Sequence, residues 1–152
     1  MIVSLEWLKD YTDVHVSPEE FCDRMIMSGS NLETMELVGE DIQNVVVGRI
    51  ARITPHPDAD KLVVCQIDIG QDAPIQIVTG APNVFEGAYV PVAVDGSHIS
   101  GPLHGQPKQE GGTLITKGSL RGVESDGMLC SFGELGFEDK VVPINQREGI
   151  WI

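Results

Sequence analysis

A mainly β chain, its strands curled into one small barrel behind a short helical leader, is what the 152 residues predict. Three observations carry this. The hydrophobic period changes from helical to two near residue 42. Of the 17 glycines, 15 lie after Gly39, together with eight of the nine prolines. Short alternating runs then recur with turn residues between them. At 152 residues the chain can hide roughly two-thirds of its extended surface, enough for a real core.

The leader comes first. A short helix is expected to start at Ser4 and to carry Leu5, Trp7, Leu8 and Tyr11. Ser17-Pro18-Glu19-Glu20 has the pattern of a capping box with proline at the first helical position. Phe21, Cys22, Met25 and Ile26 follow at helical spacing, and Gly29 can close that helix in a left-handed conformation. Two such helices cannot build a core alone. Residues 1–40 are therefore expected to pack on the barrel or on a partner.

The strands follow. Asn44 to Thr54 reads as the first, and Gly48 within it suggests the bend or bulge of a tightly curled sheet. Leu62 to Ile69 is cleaner, with Val63, Cys65, Ile67 and Ile69 on one face. Gly70 to Ala73 forms a turn, after which Ile75, Ile77 and Thr79 alternate. Tyr89 to Val94 is a fourth strand, whose Pro91 argues for an edge or a strand start. Leu114 to Thr116 is a fifth. Asp95 to Gly112, rich in Gly, Pro and His, reads as a long surface loop. Five short strands with glycine at the corners over residues 41–152 predict an OB-fold barrel.

Charge and cysteines narrow the function. Ten Lys+Arg against 23 Asp+Glu leave a net charge of −13. A chain this acidic repels phosphate at long range, so any nucleic-acid contact must come from a local patch. Cys22, Cys65 and Cys130 are odd in number and widely spaced, which argues against a disulfide framework or structural zinc and for a reducing cytoplasm. No apolar run approaches a membrane span, and the first residues lack a signal-peptide pattern.

Two segments can carry chemistry. Thr54 to Leu62 places His56 beside Asp58 and Asp60, read as a self-bonded turn ahead of a metal site. Lys61 next to it can meet a phosphate or pair with one of those acids. In Lys117 to Ser131, Arg121 offers a planar fork suited to phosphate, and Ser125 a hydroxyl. Arg121 can equally pair with Glu124 or Asp126. No phosphate loop, nucleophile elbow or His-Glu-x-x-His pattern is present, so no catalytic residue is expected. The second and third strands carry no aromatic residue on which a base could stack, which argues against a generic single-strand binder.

His56-Pro57-Asp58-Ala59-Asp60-Lys61-Leu62, then Val78 to Val84, then Leu120 to Ser131 with Glu134-Leu135-Gly136 resemble the tRNA-binding OB domain of the EMAP II type. Ser4 to Tyr11 and the helix ending at Ser28-Gly29 resemble the N-terminus of the bacterial phenylalanyl-tRNA synthetase beta subunit. The resemblance covers essentially the whole chain and implies an N-terminal fragment of that subunit, non-catalytic in itself. It implies a parent ligase that uses ATP and magnesium to attach phenylalanine to tRNA, a heterotetramer with an alpha subunit, working in the cytoplasm. It also implies Lys61, Asn83, Lys117, Arg121 and Ser125 as tRNA contacts. Ser119 departs from the family, standing where many relatives carry another lysine. The alternatives are a free-standing dimeric tRNA-binding or chaperone-like protein, and a purely structural interaction domain.

Overall fold

The computed structural model describes residues 2–37, 39–103 and 111–152 and divides the chain into two units, residues 1–38 and 39–152. In the first unit, α1 spans Leu5–Leu8 and α2 spans Pro18–Met27. The Ser17 hydroxyl accepts the Glu20 amide at 3.2 Å, the first half of the expected capping box. The second half is absent, because the Glu20 carboxylate is held by Arg24 one turn on. Gly29 (φ 92°) ends α2 in a Schellman arrangement, with Ser30 N–H donating to the Met25 carbonyl and Gly29 N–H to that of Ile26. No described residue of this unit is buried; Trp7 and Tyr11 meet edge to face with ring centroids 5.0 Å apart.

The second unit is an OB-like barrel. Its strands are β1 (Gln43–His56), β2 (Ala59–Asp68), β3 (Ile75–Thr79), β4 (Tyr89–Ile99), β5 (Thr113–Ile115), β6 (Gly118–Leu120), β7 (Val123–Ser125) and β8 (Gly127–Leu129). The antiparallel order β3-β2-β1-β4 is completed by β8 against the first half of β4, while β5 pairs with the second half. The strand that closes the barrel is therefore β8, for which the sequence carries no strand signal; the fifth strand expected at Leu114–Thr116 is present as β5. Three residues flanked by a turn are too short to show a period of two. β4 also runs on to Ile99, so the expected loop from Asp95 begins five residues later than its composition suggests; Gly96 (φ 81°) is absorbed within the strand. Part of that loop, residues 104–110, lies outside the described residues.

The inner face holds Ile50, Cys65, Ile67, Ile77, Val90, Val92 and Leu129. Each buried isoleucine contributes about 1.5–3 kcal/mol relative to exposure. β4 is buried on both faces, since Ala93 and Ile99 point the other way into a second cluster with Ile115, Cys130 and Leu135. Gly48 marks close approach rather than a bulge: a Cβ there would lie 2.5 Å from a methyl of Ile67 and 2.8 Å from one of Val92. The nearest irregularity of β1 falls at Ala51, where the register against β2 slips between Ile50 and Arg52.

Pro91 is the third residue of β4, paired with Val47 on one side and lying opposite Cys130 on the other. Cys130 N–H donates to the Pro91 carbonyl, so the ring nitrogen faces the same way and the ladder to β1 loses nothing. The carbonyl of Cys130, deprived of a proline donor, accepts instead from Trp151 N–H at 3.1 Å. Proline is thus tolerated inside the sheet by a chain segment 60 residues away. Trp151 then stacks on Phe132, with centroids 4.4 Å apart.

Candidate nucleic-acid interface

Between β3 and the β7–β8 junction, side chains close the barrel where a continuous ladder is lacking. The Ser125 hydroxyl accepts Val78 N–H at 3.1 Å and donates to the Gly127 carbonyl at 2.9 Å. The Asp126 carboxylate accepts Gln76 N–H at 3.1 Å, and Asp126 N–H donates to the Gln76 carbonyl. The Gln76 side chain adds a bond to the Glu124 carbonyl. A hydroxyl and a carboxylate here act as the acceptors that a neighbouring strand's carbonyls would otherwise supply.

Lys117 is tied to this closure. Its ammonium meets the second oxygen of Asp126 at 2.9 Å, and its N–H donates to Asp95. The Lys117 bond holds the Asp126 carboxyl below its usual range, and the same bond, with the attraction behind it, raises the lysine above its own. Both stay charged at neutral pH.

The β6–β7 hairpin projects from this edge. Leu120 pairs with Val123, leaving Arg121 (φ 47°) and Gly122 (φ 86°) as its two turn residues. Two successive positive φ values match the right-handed twist of the flanking strands, as in a type I′ turn. Arg121 is exposed at the tip and makes no ion pair with Glu124 or Asp126. Below it, the His56 ring accepts Asp58 N–H on Nδ1 at 3.1 Å and reaches the Leu120 carbonyl with Nε2 at 3.0 Å. His56 therefore joins the β1–β2 turn to the hairpin, and both its nitrogens are engaged.

The five residues named from sequence fall into two groups. Lys61, Lys117 and Arg121 are exposed cations, and Lys61 has no ion pair with Asp58 or Asp60. Lys117 and Arg121 share the hairpin region, next to the turn from which β2 carries Lys61. Asn83 and Ser125 are inward-looking. The Asn83 amide accepts Ile150 N–H at 2.9 Å and donates to the Ile150 carbonyl at 2.8 Å, fastening the last residues to the barrel. Ser125 is buried, with its hydroxyl committed as described.

Sequence reasoning passed over Arg49 and Arg52. A period of two puts residues three apart on opposite faces. The slip at Ala51 puts both arginines outward, opposite Asp68 and Gln66, while Ile50 and Ile53 both pack inward. The visible signal was two isoleucines at that same spacing. Elsewhere burial pushes the Cys65 thiol up to about 11 and that of Cys130 to about 12, so neither acts as a nucleophile near neutral pH. Among the described residues no group of three or more His, Cys, Asp or Glu is arranged to hold a metal ion. No helix among them is long and apolar enough to cross a membrane.

The family model described as a putative tRNA binding domain matches residues 45–149. Among similar proteins, the phenylalanine–tRNA ligase beta subunit of Clostridium acetobutylicum is 48% identical over 92% of this chain and 16% of its own length. That of Clostridium tetani is 47% identical over 93% of this chain and 17% of its own. The beta subunit of Shouchella clausii is 43% identical over the whole of this chain and 18% of its own. The chain thus spans less than a fifth of the length of these relatives.

Proposed function

The chain belongs to the putative tRNA binding domain family, and from that membership we propose that it is an accessory tRNA-contacting module of a phenylalanine–tRNA ligase beta subunit. In this reading Lys61, Lys117 and Arg121 meet phosphates, whereas Asn83 and Ser125 position the segments that present them. The observation that carries it is the Arg121 guanidinium on a two-residue turn, without an ion pair among the described residues and anchored through Leu120 by His56. A planar fork held at a fixed point can take two oxygens of one phosphate. Lys117 shares its charge with Asp126, so its pull on phosphate is weaker.

The attachment of phenylalanine to tRNA, with its ATP and magnesium, belongs in this proposal to the rest of the ligase, made with an alpha subunit in a heterotetramer. The module contributes contact and architecture, and its place of work is the cytoplasm. The exposed apolar residues of the first unit, Trp7 and Tyr11 among them, suit packing against further protein.

The test is a salt titration of tRNA binding by this chain. With a net charge of −13 opposing a few local cations, the expected dissociation constant is on the order of micromolar or weaker at physiological salt. It should tighten steeply as salt falls. Binding that is absent even at low salt would overturn the contact role, and nanomolar binding would overturn the argument from charge.

A further inference from the structure

The outer face of β1 holds a second set of features that the hairpin does not use. Asp68, Arg49 and Tyr89 form one row across three strands, since Arg49 pairs with Asp68 of β2 and with Tyr89 of β4. Residues paired in this way present their side chains on the same face with Cβ atoms about 5 Å apart. Val47 lies one step along the same face, 70% exposed, and Tyr89 is 65% exposed. With Ile69 and Gly70 these residues line an open groove of about 370 Å³. Arg52, brought outward by the slip at Ala51, stands in the next row opposite Gln66.

We infer that this face, centred on Arg49, Arg52 and Tyr89, is an RNA-contacting surface separate from the hairpin, which takes an unpaired stretch of tRNA with phosphates on the two arginines and a base on the tyrosine ring. The inference rests on the tRNA-contacting reading and adds to it the kind of nucleotide recognised. Among the described residues neither arginine makes an ion pair, which sets them apart from Lys9, Arg24, Lys117 and Lys140, all matched to acids. Two acids lie close. Asp68 accepts Gly70 N–H, and Glu86 accepts Ile53 N–H, so each has one oxygen engaged in holding backbone. The arginines are two pairing steps apart, about 7 Å along the strand, comparable with the separation of successive phosphates on one RNA strand. An exposed aromatic beside a cation is the pairing that single-stranded RNA uses, the ring taking the face of any base. A duplex offers phosphates but no free base face, so the surface favours unpaired nucleotides. The aromatic missing from β2 and β3 is thus supplied by β4.

Fluorescence anisotropy of labelled tRNA against this chain tests it, across a series of salt concentrations. Arg49→Gln with Arg52→Gln should weaken binding at least tenfold and reduce the magnitude of the log–log salt slope by about 1.5, the loss of two phosphate contacts. Arg49→Lys with Arg52→Lys should keep the slope. Tyr89→Ala should weaken an unpaired RNA oligonucleotide and leave a blunt RNA duplex unchanged. The double glutamine variant binding as well as the parent, with Arg121→Gln weakened, would overturn this surface while the tRNA reading stands. Absence of binding by the parent chain would overturn both. Displacement of tRNA by poly-glutamate from the parent but not from the double glutamine variant, with Tyr89→Ala silent, would assign the face to an acidic protein segment instead.

Discussion

His56 holds Leu120. Because a backbone N–H can only donate, the Asp58 amide leaves Nδ1 of His56 without a proton, and Nε2–H is then the donor to the Leu120 carbonyl at 3.0 Å. The residue after Leu120 is Arg121, so a histidine at the end of β1 sets where the guanidinium stands. The motif through which the chain resembles its family thereby acts as a brace for the hairpin.

Replacing that brace should be felt in both stability and binding. His56→Ala removes a buried ring and its two hydrogen bonds, and an expected loss of about 1–3 kcal/mol follows. Urea unfolding measures it, and amide shifts of Arg121 and Gly122 should report the loosened tip. An unfolding midpoint equal to that of the parent would show the bond to be idle.

Arg121→Ala should separate contact from structure. The side chain is exposed and makes no ion pair among the described residues, so stability should move by less than about 0.5 kcal/mol while tRNA affinity falls. Arg121→Val should behave differently, since a β-branched residue at φ 47° is strained and the hairpin itself should loosen. Thermal melts of the two variants side by side distinguish these effects.

Asn83→Ala removes both bonds to Ile150 and should destabilise the chain by about 1–3 kcal/mol. Trp151, one residue on, would lose its fixed place beside Phe132, so its fluorescence should shift toward that of exposed indole. A fall in tRNA affinity with unchanged melting and fluorescence would make Asn83 a direct contact instead.

Acid should open the barrel at the β3–β7 edge. The Asp126 carboxyl lies below its usual range in the folded state, so its stabilisation is present above the unfolded carboxyl value and is lost as pH falls through the folded one. Lys117 is raised, so its share persists until pH climbs past the ordinary ammonium range. Hydrogen exchange at Gln76, whose amide donates to Asp126, should accelerate relative to the core amide of Ile77 as pH drops. In Asp126→Asn that acid-dependent step should vanish.

Gly48→Ala tests the packing of the barrel interior. Its methyl would meet Ile67 and Val92, and overpacking of this kind costs about 1–3 kcal/mol. Calorimetry should show a lower Tm, and pairing it with Val92→Ala should recover part of the loss.

Local features were legible in the sequence: the Ser17 cap, the Gly29 stop, the alternation of Val63, Cys65 and Ile67, and the turn before Ile75. Each is written within a few neighbouring residues, where side-chain spacing and backbone preference act directly. The family motifs were legible too, although what they do was not. His56, Asn83 and Ser125 bond to Leu120, Ile150 and Val78, partners 47 to 67 positions away.

Only the tertiary structure decided which strand closes the barrel, how Pro91 is accommodated, and which way Arg52 faces. A period of two holds while the ladder is regular, and one slip at Ala51 reverses every face beyond it. Closure depends on hydrogen bonds between segments distant in sequence, and three-residue strands such as β8 carry no periodic signature of their own. The residues determine what each short run prefers; the ring of strands determines which of those preferences meet.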